Sequence, residues 1–161
     1  MKKLAVLIIS MMMLVGSLFA EDVVIFEPGV TEAKGGQVVE IDGTKYFKVK
    51  CYGYDTSIKI PAVDCSAFPE FEAVIYCDKE NLKYQATLGI KDKSYADIAS
   101  PCVTECKVEA QTVIIGPAKK ESWNTISKTK IAEMIQPMVQ DNSGSYNPHN
   151  YTLYIGKIVA R

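Results

Sequence analysis

Short segments in which apolar and polar residues alternate make up most of the chain after residue 20. In KYFKVKCY, residues 45–52, Phe47, Val49 and Cys51 share one parity and Tyr46 has the other. Successive side chains leave a strand on opposite faces, so one face of this segment is predicted to be buried and the other solvated. Turn residues separate such segments about every 8–12 positions, which is typical of an all-β sandwich or barrel.

Three further segments show the same alternation and predict a sheet with an apolar inner face. The residues that the pattern assigns to this face are Phe71, Ala73, Ile75 and Cys77; Tyr84, Ala86, Leu88 and Ile90; and Val108, Ala110, Thr112 and Ile114. The opposite parity carries charged or amide side chains in each segment, such as Glu72, Lys83 and Gln111. It is therefore predicted to be solvated.

Turn residues mark two other elements. DVVIFE, residues 22–27, is predicted to be the first strand, ended by Pro28 and Gly29. Asp42 and Gly43 form an Asp-Gly pair between two alternating segments. Such a pair supplies the positive φ angles of a tight turn, so a β-hairpin is predicted here.

The last third of the chain departs from simple alternation at two places. Apolar residues recur at helical spacing in 131–138, and Pro137 limits them to about two turns, so one short helix is predicted. In the final predicted strand, YTLYIGKIV, Gly156 indicates a β-bulge. This bulge would let Ile155 and Ile158 both face the core despite their odd spacing.

The first twenty residues, MKKLAVLIISMMMLVGSLFA, combine two lysines, an uncharged apolar run and a small terminal residue. This order is typical of a cleaved export signal. A single membrane anchor is the alternative, but the apolar run is only just long enough to span a bilayer and a Gly-Ser pair interrupts its end. We expect residues 1–20 to be removed and residues 21–161 to form one extracytoplasmic domain, periplasmic or secreted, with no stable membrane insertion.

Charge excludes one class of partner. Removal of the signal takes away two lysines, so the 18 basic and 19 acidic residues become 16 and 19. Nucleic-acid binding needs clustered lysine and arginine, whereas the only arginine is Arg161 and the lysines are spread along the chain. No nucleic-acid partner is therefore expected, and the remaining length fits a single domain.

All five cysteines follow the predicted signal and so belong to the part of the chain that is expected to be exported. Outside the cytoplasm, an oxidising compartment lets thiols pair. The five cysteines are Cys51, Cys65, Cys77, Cys102 and Cys106. Because five is an odd number, at least one thiol stays free or pairs with another chain. Cys102 and Cys106 form a local bridge if the backbone turns between them. Zinc is not expected, since it needs more ligands and the only histidine, His149, is remote in sequence.

Three stretches, read in order, resemble parts of carbohydrate-binding modules with a galactose-binding-like jelly-roll fold. TSIKIPAVDCSAFPEFEAVIYCD is similar to the segment in which a strand ends in Ile/Leu-Pro and a short loop leads to the next strand. SWNTISKTKI is similar to their Trp-x-Thr-Ile stretch, and YTLYIGKIVAR is similar to their closing strand. With FEPG near residue 26, the resemblance covers nearly the whole chain after the signal. It implies a β-sandwich of jelly-roll type with about eight to nine antiparallel strands, to which the short helix is added.

Such modules usually hold a structural calcium between an acidic residue near the first strand and an aspartate of the closing strand. The resemblance places Glu27 at the first position and Gly156 at the second. Calcium prefers six to eight oxygen ligands, so the missing carboxylate weakens the site. No cofactor is therefore expected, with calcium at Glu27 as the open alternative.

A glycan site combines aromatic rings, which stack on the apolar faces of sugars, with amides and carboxylates that bind hydroxyls. The candidate rings are Tyr46, Tyr52, Tyr54 and Tyr76, and the candidate polar partners are Glu72, Gln85, Thr87, Glu109 and Gln111. An ordinary solvated sheet face has a similar composition, because tyrosine and threonine favour strands. The only tryptophan, Trp123, is expected to be a partly buried structural residue.

Two other classes of function remain open. A hydrolase would need His149 beside a nucleophile, or two carboxylates about 5–9.5 Å apart such as Glu72 and Glu109, and no motif singles out either arrangement. A structural subunit is the other class, since spirochaete flagellar sheath proteins have a similar Trp-containing stretch. A binder should place Tyr46, Tyr52 and Tyr76 in one groove, whereas a sheath subunit should show a broad apolar patch or an unpaired edge strand.

The sequence therefore predicts an exported, non-catalytic protein that binds a polysaccharide or other glycan on one face of a β-sandwich.

Overall fold

The described part of the chain forms ten β-strands in two antiparallel sheets. This computed structural model describes residues 22–51, 56–141 and 151–161, without the side chains of 81–83, 101–102 and 141. The strands are β1 (Val23–Phe26), β2 (Gln37–Ile41), β3 (Thr44–Cys51), β4 (Ile58–Asp64), β5 (Phe71–Cys77), β6 (Asn81–Lys91), β7 (Asp97–Cys106), β8 (Gln111–Ile115), β9 (Ile131–Asp141) and β10 (Tyr151–Ala160). Within the described ranges no helix is long and apolar enough to cross a membrane. The predicted export signal, Tyr52, Tyr54 and His149 lie outside them.

One sheet has six strands and the other has four. The six-stranded sheet has the order β2-β3-β10-β5-β8, and β1 also pairs with β10. Since β5 occupies the other side of β10, β1 and β3 share one edge of it: β3 pairs with residues 151–155 and β1 with residues 158–160. The four-stranded sheet has the order β4-β9-β6-β7. The prediction of an all-β sandwich is confirmed.

Alternating apolar residues build the core, as three of the four sequence patterns predict. In β5 every second side chain is buried, from Phe71 to Cys77. In β3 the exposed fraction is 3% for Phe47 and 2% for Val49. In β6, Leu88 and Ile90 are fully buried. Burial of these side chains between the sheets is the main stabilising contribution, at about 1.5–3 kcal/mol for each large one.

The predicted hairpin at Asp42-Gly43 joins β2 to β3. Ile41 pairs with Thr44, so the loop has two residues, and their φ angles are 50° and 77°. Two consecutive positive φ angles define the type I′ turn, whose twist matches that of the flanking strands. The Asp-Gly pair therefore sets the register of this hairpin.

The predicted bulge in the final strand is also present. The register of β10 against β5 shifts between Ile155 and Ile158, and both side chains are fully buried. A Cβ added at Gly156 would lie 3.0 Å from the Cβ of Val74. Glycine at this position therefore leaves room for the close approach of the neighbouring strand.

The inner face assigned to the segment 106–115 is wrong. A loop at 107–110 separates β7 from β8, and Val108 in this loop is 51% exposed. In β8, Val113 and Ile115 are buried whereas Ile114 is 50% exposed, which is the opposite parity. The sheet fixes this phase, because Val113 pairs with the buried Ala73 of β5. The prediction continued one alternation from β7 into β8. The loop between these strands interrupts the alternation, so the residues that face the core in β8 have the other parity.

The helix predicted at 131–138 is also wrong, because this segment is β9, an inner strand of the four-stranded sheet. Both faces of β9 are covered. Ile135 belongs to the core, while Met134 and Met138 on the opposite face are 4% and 8% exposed. Burial on both faces produced the apolar spacing that resembles a helix. Pro137 is tolerated because it lies beyond Ile135, the last residue of β9 with a described partner in β4.

Candidate functional site

A groove of about 1130 Å³ crosses the outer face of the four-stranded sheet. Outward side chains of β6, β7 and β9 form its floor. The turn at 92–96 between β6 and β7 and the loop at 116–130 between β8 and β9 form its walls. Most of its lining lies outside the four segments in which alternation predicted a strand.

The floor combines apolar and hydrogen-bonding side chains. Thr87 of β6 lies between Val103 of β7 and Met138 of β9, and Gln136 and Gln140 line the floor two positions to either side of Met138. Thr87 is only 2% exposed, and its hydroxyl oxygen has no hydrogen-bond partner in the described part of the chain. An unpaired buried hydroxyl costs stability. Because Thr87 is buried, the outer face of β6 is not solvated at this position, contrary to the prediction from the sequence.

Two exposed aromatic rings line the walls. Trp123, in the loop at 116–130, is 72% exposed, and Tyr95, in the turn at 92–96, is 51% exposed. The expectation that Trp123 is a partly buried structural residue is therefore wrong. Large exposed aromatic side chains on loops held by a rigid sheet are typical of binding surfaces.

The turn that carries Tyr95 is held by a single carboxylate. Oδ1 of Asp92 accepts hydrogen bonds from the backbone N–H of Ser94 at 2.8 Å, from its hydroxyl at 2.7 Å and from the N–H of Ala96 at 3.0 Å. Burial raises the pKa of Asp92, but the hydrogen bonds from Ser127, Ser94 and Ala96 outweigh it and place the pKa below its usual value. Tyr95 itself has a φ of 63°, so the turn holds its backbone in the left-handed region that non-glycine residues seldom adopt.

Replacement of Asp92 by alanine is expected to destabilise the protein by about 2 kcal/mol, because buried N–H groups lose a charged acceptor. A lowered native pKa stabilises the fold above the ordinary aspartate value of 3.8, and this stabilisation is lost as the pH falls through the native pKa. Urea unfolding at several pH values tests this. The difference from the wild type should shrink below pH 3.8, and a difference independent of pH would contradict it. The matched control is Asp64→Ala. The Asp64 carboxylate accepts a hydrogen bond from the Ser66 N–H at 2.9 Å, as Asp92 does from Ser94, but in an exposed turn.

The loop that carries Trp123 is fastened to β7 through Asp97. The backbone N–H of Asp97 donates to the Thr125 carbonyl at 2.7 Å, and its carbonyl accepts from the Ser127 N–H at 2.9 Å. The Asn124 side chain donates from Nδ2 to Oδ2 of Asp97 at 2.9 Å and to the Lys119 carbonyl at 2.9 Å. Asn124, the residue after Trp123, is therefore held by a hydrogen bond to Asp97, which is fully buried.

Asp97 also forms the one buried ion pair among the described residues. Nζ of Lys91 lies 2.6 Å from Oδ1 of Asp97, and the side chains are 10% and 1% exposed. The two charges offset each other, so Lys91 adds no net charge to the groove. The other charged side chains in the lining are Lys119 and Glu121, one of each sign.

Of the tyrosines predicted to bind ligand, Tyr46 and Tyr76 lie elsewhere, on the outer face of the six-stranded sheet. Tyr76 stacks on Tyr154 with centroids 4.4 Å apart and meets Tyr46 edge-on at 5.0 Å. We call Tyr46, Tyr76 and Tyr154 the tyrosine cluster. Burial raises the pKa of Tyr76 to about 12, and its hydroxyl has no partner among the described residues. The rings of Tyr46 and Tyr76 are perpendicular, not coplanar, and they cover part of each other.

The predicted polar partners do not come together at one site. Glu72 forms an ion pair with Arg161 at 2.6 Å on the six-stranded sheet. Gln85 lies on the outer face of β6, opposite Gln140. Glu109 lies in the exposed loop between β7 and β8, and Gln111 bonds to the Glu105 carbonyl and the Thr104 hydroxyl. Of this set, Gln85 and Thr87 lie on the sheet face that carries the groove, and Thr87 is part of its floor.

Glu27 and Gly156, the two positions compared with a calcium site, line one small cavity. Nζ of Lys157 lies 3.4 Å from Oε2 of Glu27, and Lys45 lines the same cavity. Across the described residues there is no cluster of three or more carboxylate, thiol or imidazole groups that could hold a metal. One carboxylate beside two ammonium groups does not fit calcium, so Glu27 is better described as the partner of Lys157.

A local bridge between Cys102 and Cys106 does not fit the fold. Both residues belong to β7, and the register from 102 to 105 against β6 is regular. Four residues of extended strand span about 13 Å. A disulfide needs Cα atoms less than about 7 Å apart. The backbone turn on which the bridge depended is absent, since β7 continues through both positions.

Two sequence signals would have located the groove. Tyr95 lies in KDKSYAD and Trp123 in AKKESWN, and each is a single aromatic residue among polar ones between predicted strands. Such positions are loops by composition, and an aromatic residue in a loop is a candidate for binding. Thr87, Gln136 and Gln140 carried no distinguishing signal, because only the sheet places them side by side.

No protein-family model matches this sequence, and no curated protein matches it either. Solved structures do match. A family 30 carbohydrate-binding module has a TM-score of 0.54 and 14% identity, with 89% of each chain covered. A family 6 carbohydrate-binding module has a TM-score of 0.51 and 9% identity, covering 87% of this chain and 92% of that one.

A family 29 module, solved as a mutant complexed with mannohexaose, has a TM-score of 0.50 and 11% identity, covering 88% of this chain and 91% of that one. At these identities the likeness concerns the fold alone. This chain therefore has the β-sandwich fold of the non-catalytic carbohydrate-binding modules of families 29, 30 and 6.

Proposed function

We propose that this protein is an exported, non-catalytic carbohydrate-binding domain that holds a glycan in the groove on the four-stranded sheet. The observation that carries the proposal is the presence of Trp123 and Tyr95, both exposed, in the walls of one groove. Aromatic rings offer flat apolar surfaces that pack on the C–H faces of sugars. The export signal predicted in residues 1–20 would bring such a domain to extracellular or periplasmic glycans.

The polar lining supports the same ligand class. Amide and hydroxyl groups of Gln136, Gln140 and Ser94 line the same groove as the rings, and such groups both donate to and accept from sugar hydroxyls. The paired Lys91 and the opposite signs of Lys119 and Glu121 leave little net charge. A neutral glycan therefore fits this lining better than an anionic one.

The size of the groove favours an oligosaccharide over a monosaccharide. Its volume of about 1130 Å³ is above the range of about 300–1,000 Å³ that is common for small-molecule sites. A chain of several sugar residues would extend along the strands from Tyr95 toward Gln140. Such a ligand would contact the floor and both walls at once.

Affinity electrophoresis in gels that contain mannan, xylan, mixed-linkage β-glucan or polygalacturonate tests the proposal. At least one neutral polysaccharide should retard the protein, and a chelator should not change the retardation. Tyr95→Ala should weaken binding roughly tenfold, because a stacked ring contributes about 1–2 kcal/mol. If Tyr46→Ala abolishes binding and Tyr95→Ala does not, the ligand lies on the tyrosine cluster and the groove assignment is wrong.

A structural subunit is the second candidate, and the outer edge of β2 is the observation that favours it. In the described part of the sheet β2 pairs only with β3, and its Val38 and Ile41 are 46% and 38% exposed. An open edge with apolar side chains can pair with a second chain. Sedimentation at increasing protein concentration distinguishes the candidates. Assembly without retardation by any polysaccharide would favour the subunit.

A further inference from the structure

Three buried cysteines lie at the same end of the sandwich and have no part in the proposed glycan site. Cys51 ends β3, Cys77 ends β5 and Cys106 ends β7, and each is at most 2% exposed. Cys51 and Cys77 belong to the six-stranded sheet, and Cys106 belongs to the four-stranded sheet. All three belong to the hydrophobic core between the sheets.

Cys77 and Cys106 are the pair that the backbone brings together. The N–H of Cys77 donates to the carbonyl of Lys107, the residue after Cys106, at 2.7 Å. This bond connects the end of β5 to the end of β7 across the two sheets. The two side chains enter the core from these adjoining backbones, and the interaction between them raises the pKa of Cys77 and lowers that of Cys106. Cys51 is separated from Cys77 by β10, which pairs with β3 on one side and with β5 on the other.

We propose that Cys77 and Cys106 form a disulfide that joins the two sheets when the protein matures in an oxidising compartment. The two thiols lose two protons and two electrons to an external disulfide, either oxidised glutathione or the disulfide of a thiol oxidoreductase, which is reduced to two thiols. One sulfur first forms a mixed disulfide with the oxidant, and the other displaces the oxidant's second sulfur. The proposal does not depend on glycan binding.

Burial determines when this bond forms and how long it lasts. Because both sulfurs are enclosed in the folded protein, exchange has to occur before the two sheets finish packing. Once the core is closed, the same enclosure excludes reductants, so the bond is structural and not a reversible switch.

The other pairings are less compatible with the fold. Cys102 and Cys106 are separated by four residues of strand, as described above. Cys65 lies in the segment between β4 and β5, where its thiol is 3.5 Å from the Val63 carbonyl and its N–H donates to Lys130. Cys51, Cys65 and Cys102 are therefore expected to remain thiols.

Peptide mapping of the wild-type protein tests the pairing without any substitution. The reduced protein is refolded in a glutathione redox buffer, its free thiols are alkylated, and it is digested with trypsin and a glutamate-specific protease. Cleavage after Glu72, Lys79, Glu105 and Lys107 separates AVIYCDK from Cys65 and leaves the dipeptide CK free of Cys102. We expect these two peptides linked by a disulfide. A link to Cys51, Cys65 or Cys102, or alkylation of both Cys77 and Cys106, would overturn the proposal.

Thermal unfolding measures the effect of the bond. It closes a loop of about 30 residues, so the oxidised protein should melt roughly 10 °C higher than the reduced protein. Cys106→Ser should remove this difference between oxidised and reduced protein, whereas Cys102→Ser, in the same strand, should retain it. An equal difference in both variants would sink the assignment. If Cys106→Ser does not fold, Cys106→Ala, which leaves no buried hydroxyl, is used in its place.

Discussion

Replacement of Trp123 by alanine is expected to lower the affinity for a retained polysaccharide about 30-fold, the effect of an aromatic hot spot worth about 2 kcal/mol. The indole is 72% exposed, so its removal leaves no cavity in the core and should change the free energy of unfolding little. Isothermal titration calorimetry with an oligosaccharide of the retained polysaccharide measures the affinity, and urea unfolding measures the stability.

Two matched variants make this test specific. Trp123→Phe keeps a flat ring at the same position and should retain most of the affinity. Val108→Ala removes a 51% exposed apolar side chain that does not line the groove and should bind like the wild type. Trp123 is the only tryptophan in the sequence, so its fluorescence should change on binding and report occupancy of the groove directly. Unchanged affinity of Trp123→Ala would show that the ligand lies elsewhere.

The largest expected effect on stability comes from Asp97. Asp97→Ala should destabilise the protein by about 3–5 kcal/mol, because it leaves the buried ammonium of Lys91 without its partner. The substitution also removes the acceptor for Asn124, which fastens the loop that carries Trp123. Urea unfolding should show the loss of stability, and acrylamide should quench the fluorescence of Trp123 more strongly than in the wild type.

Replacement of both charges separates the two contributions of Asp97. Lys91→Met combined with Asp97→Leu removes the charged pair together, so most of the lost stability should return. The loop should stay loose, since leucine cannot accept the hydrogen bond of Asn124. Quenching of Trp123 should therefore remain high in the double variant. A double variant as unstable as Asp97→Ala would contradict the account of the buried pair.

Much of the six-stranded sheet was predictable because its strands obey local rules. The Asp42-Gly43 turn, the alternation in β3 and β5 and the bulge at Gly156 are encoded within a few residues each. One face of these strands is buried and the other is at least partly solvated, so apolar residues recur with a period of two. The resemblance to carbohydrate-binding modules extended the prediction to the fold, which the solved structures confirm.

The four-stranded sheet was less predictable because its inner strands are covered on both sides. In β9 the apolar Met134 and Met138 lie on the outer face while Ile135 faces the core, and the combined spacing imitates a helix. In β6, Thr87 and Lys91 are polar residues on the outward parity, yet both are buried. The prediction treated polar residues as exposed to solvent, so it assigned Thr87 and Lys91 to a solvated face.

The sequence by itself determined the class of fold, the hairpin register and the bulged closing strand, because alternation, turn chemistry and a glycine act over neighbouring residues. Only the tertiary structure decided where the candidate groove lies. It placed Tyr46 and Tyr76 in a cluster of packed rings and brought Tyr95, Trp123 and Gln136 to one groove. These residues are far apart in the sequence and meet only through strand order and through the contacts of Asp97. Such long-range contacts leave no periodicity in a single sequence.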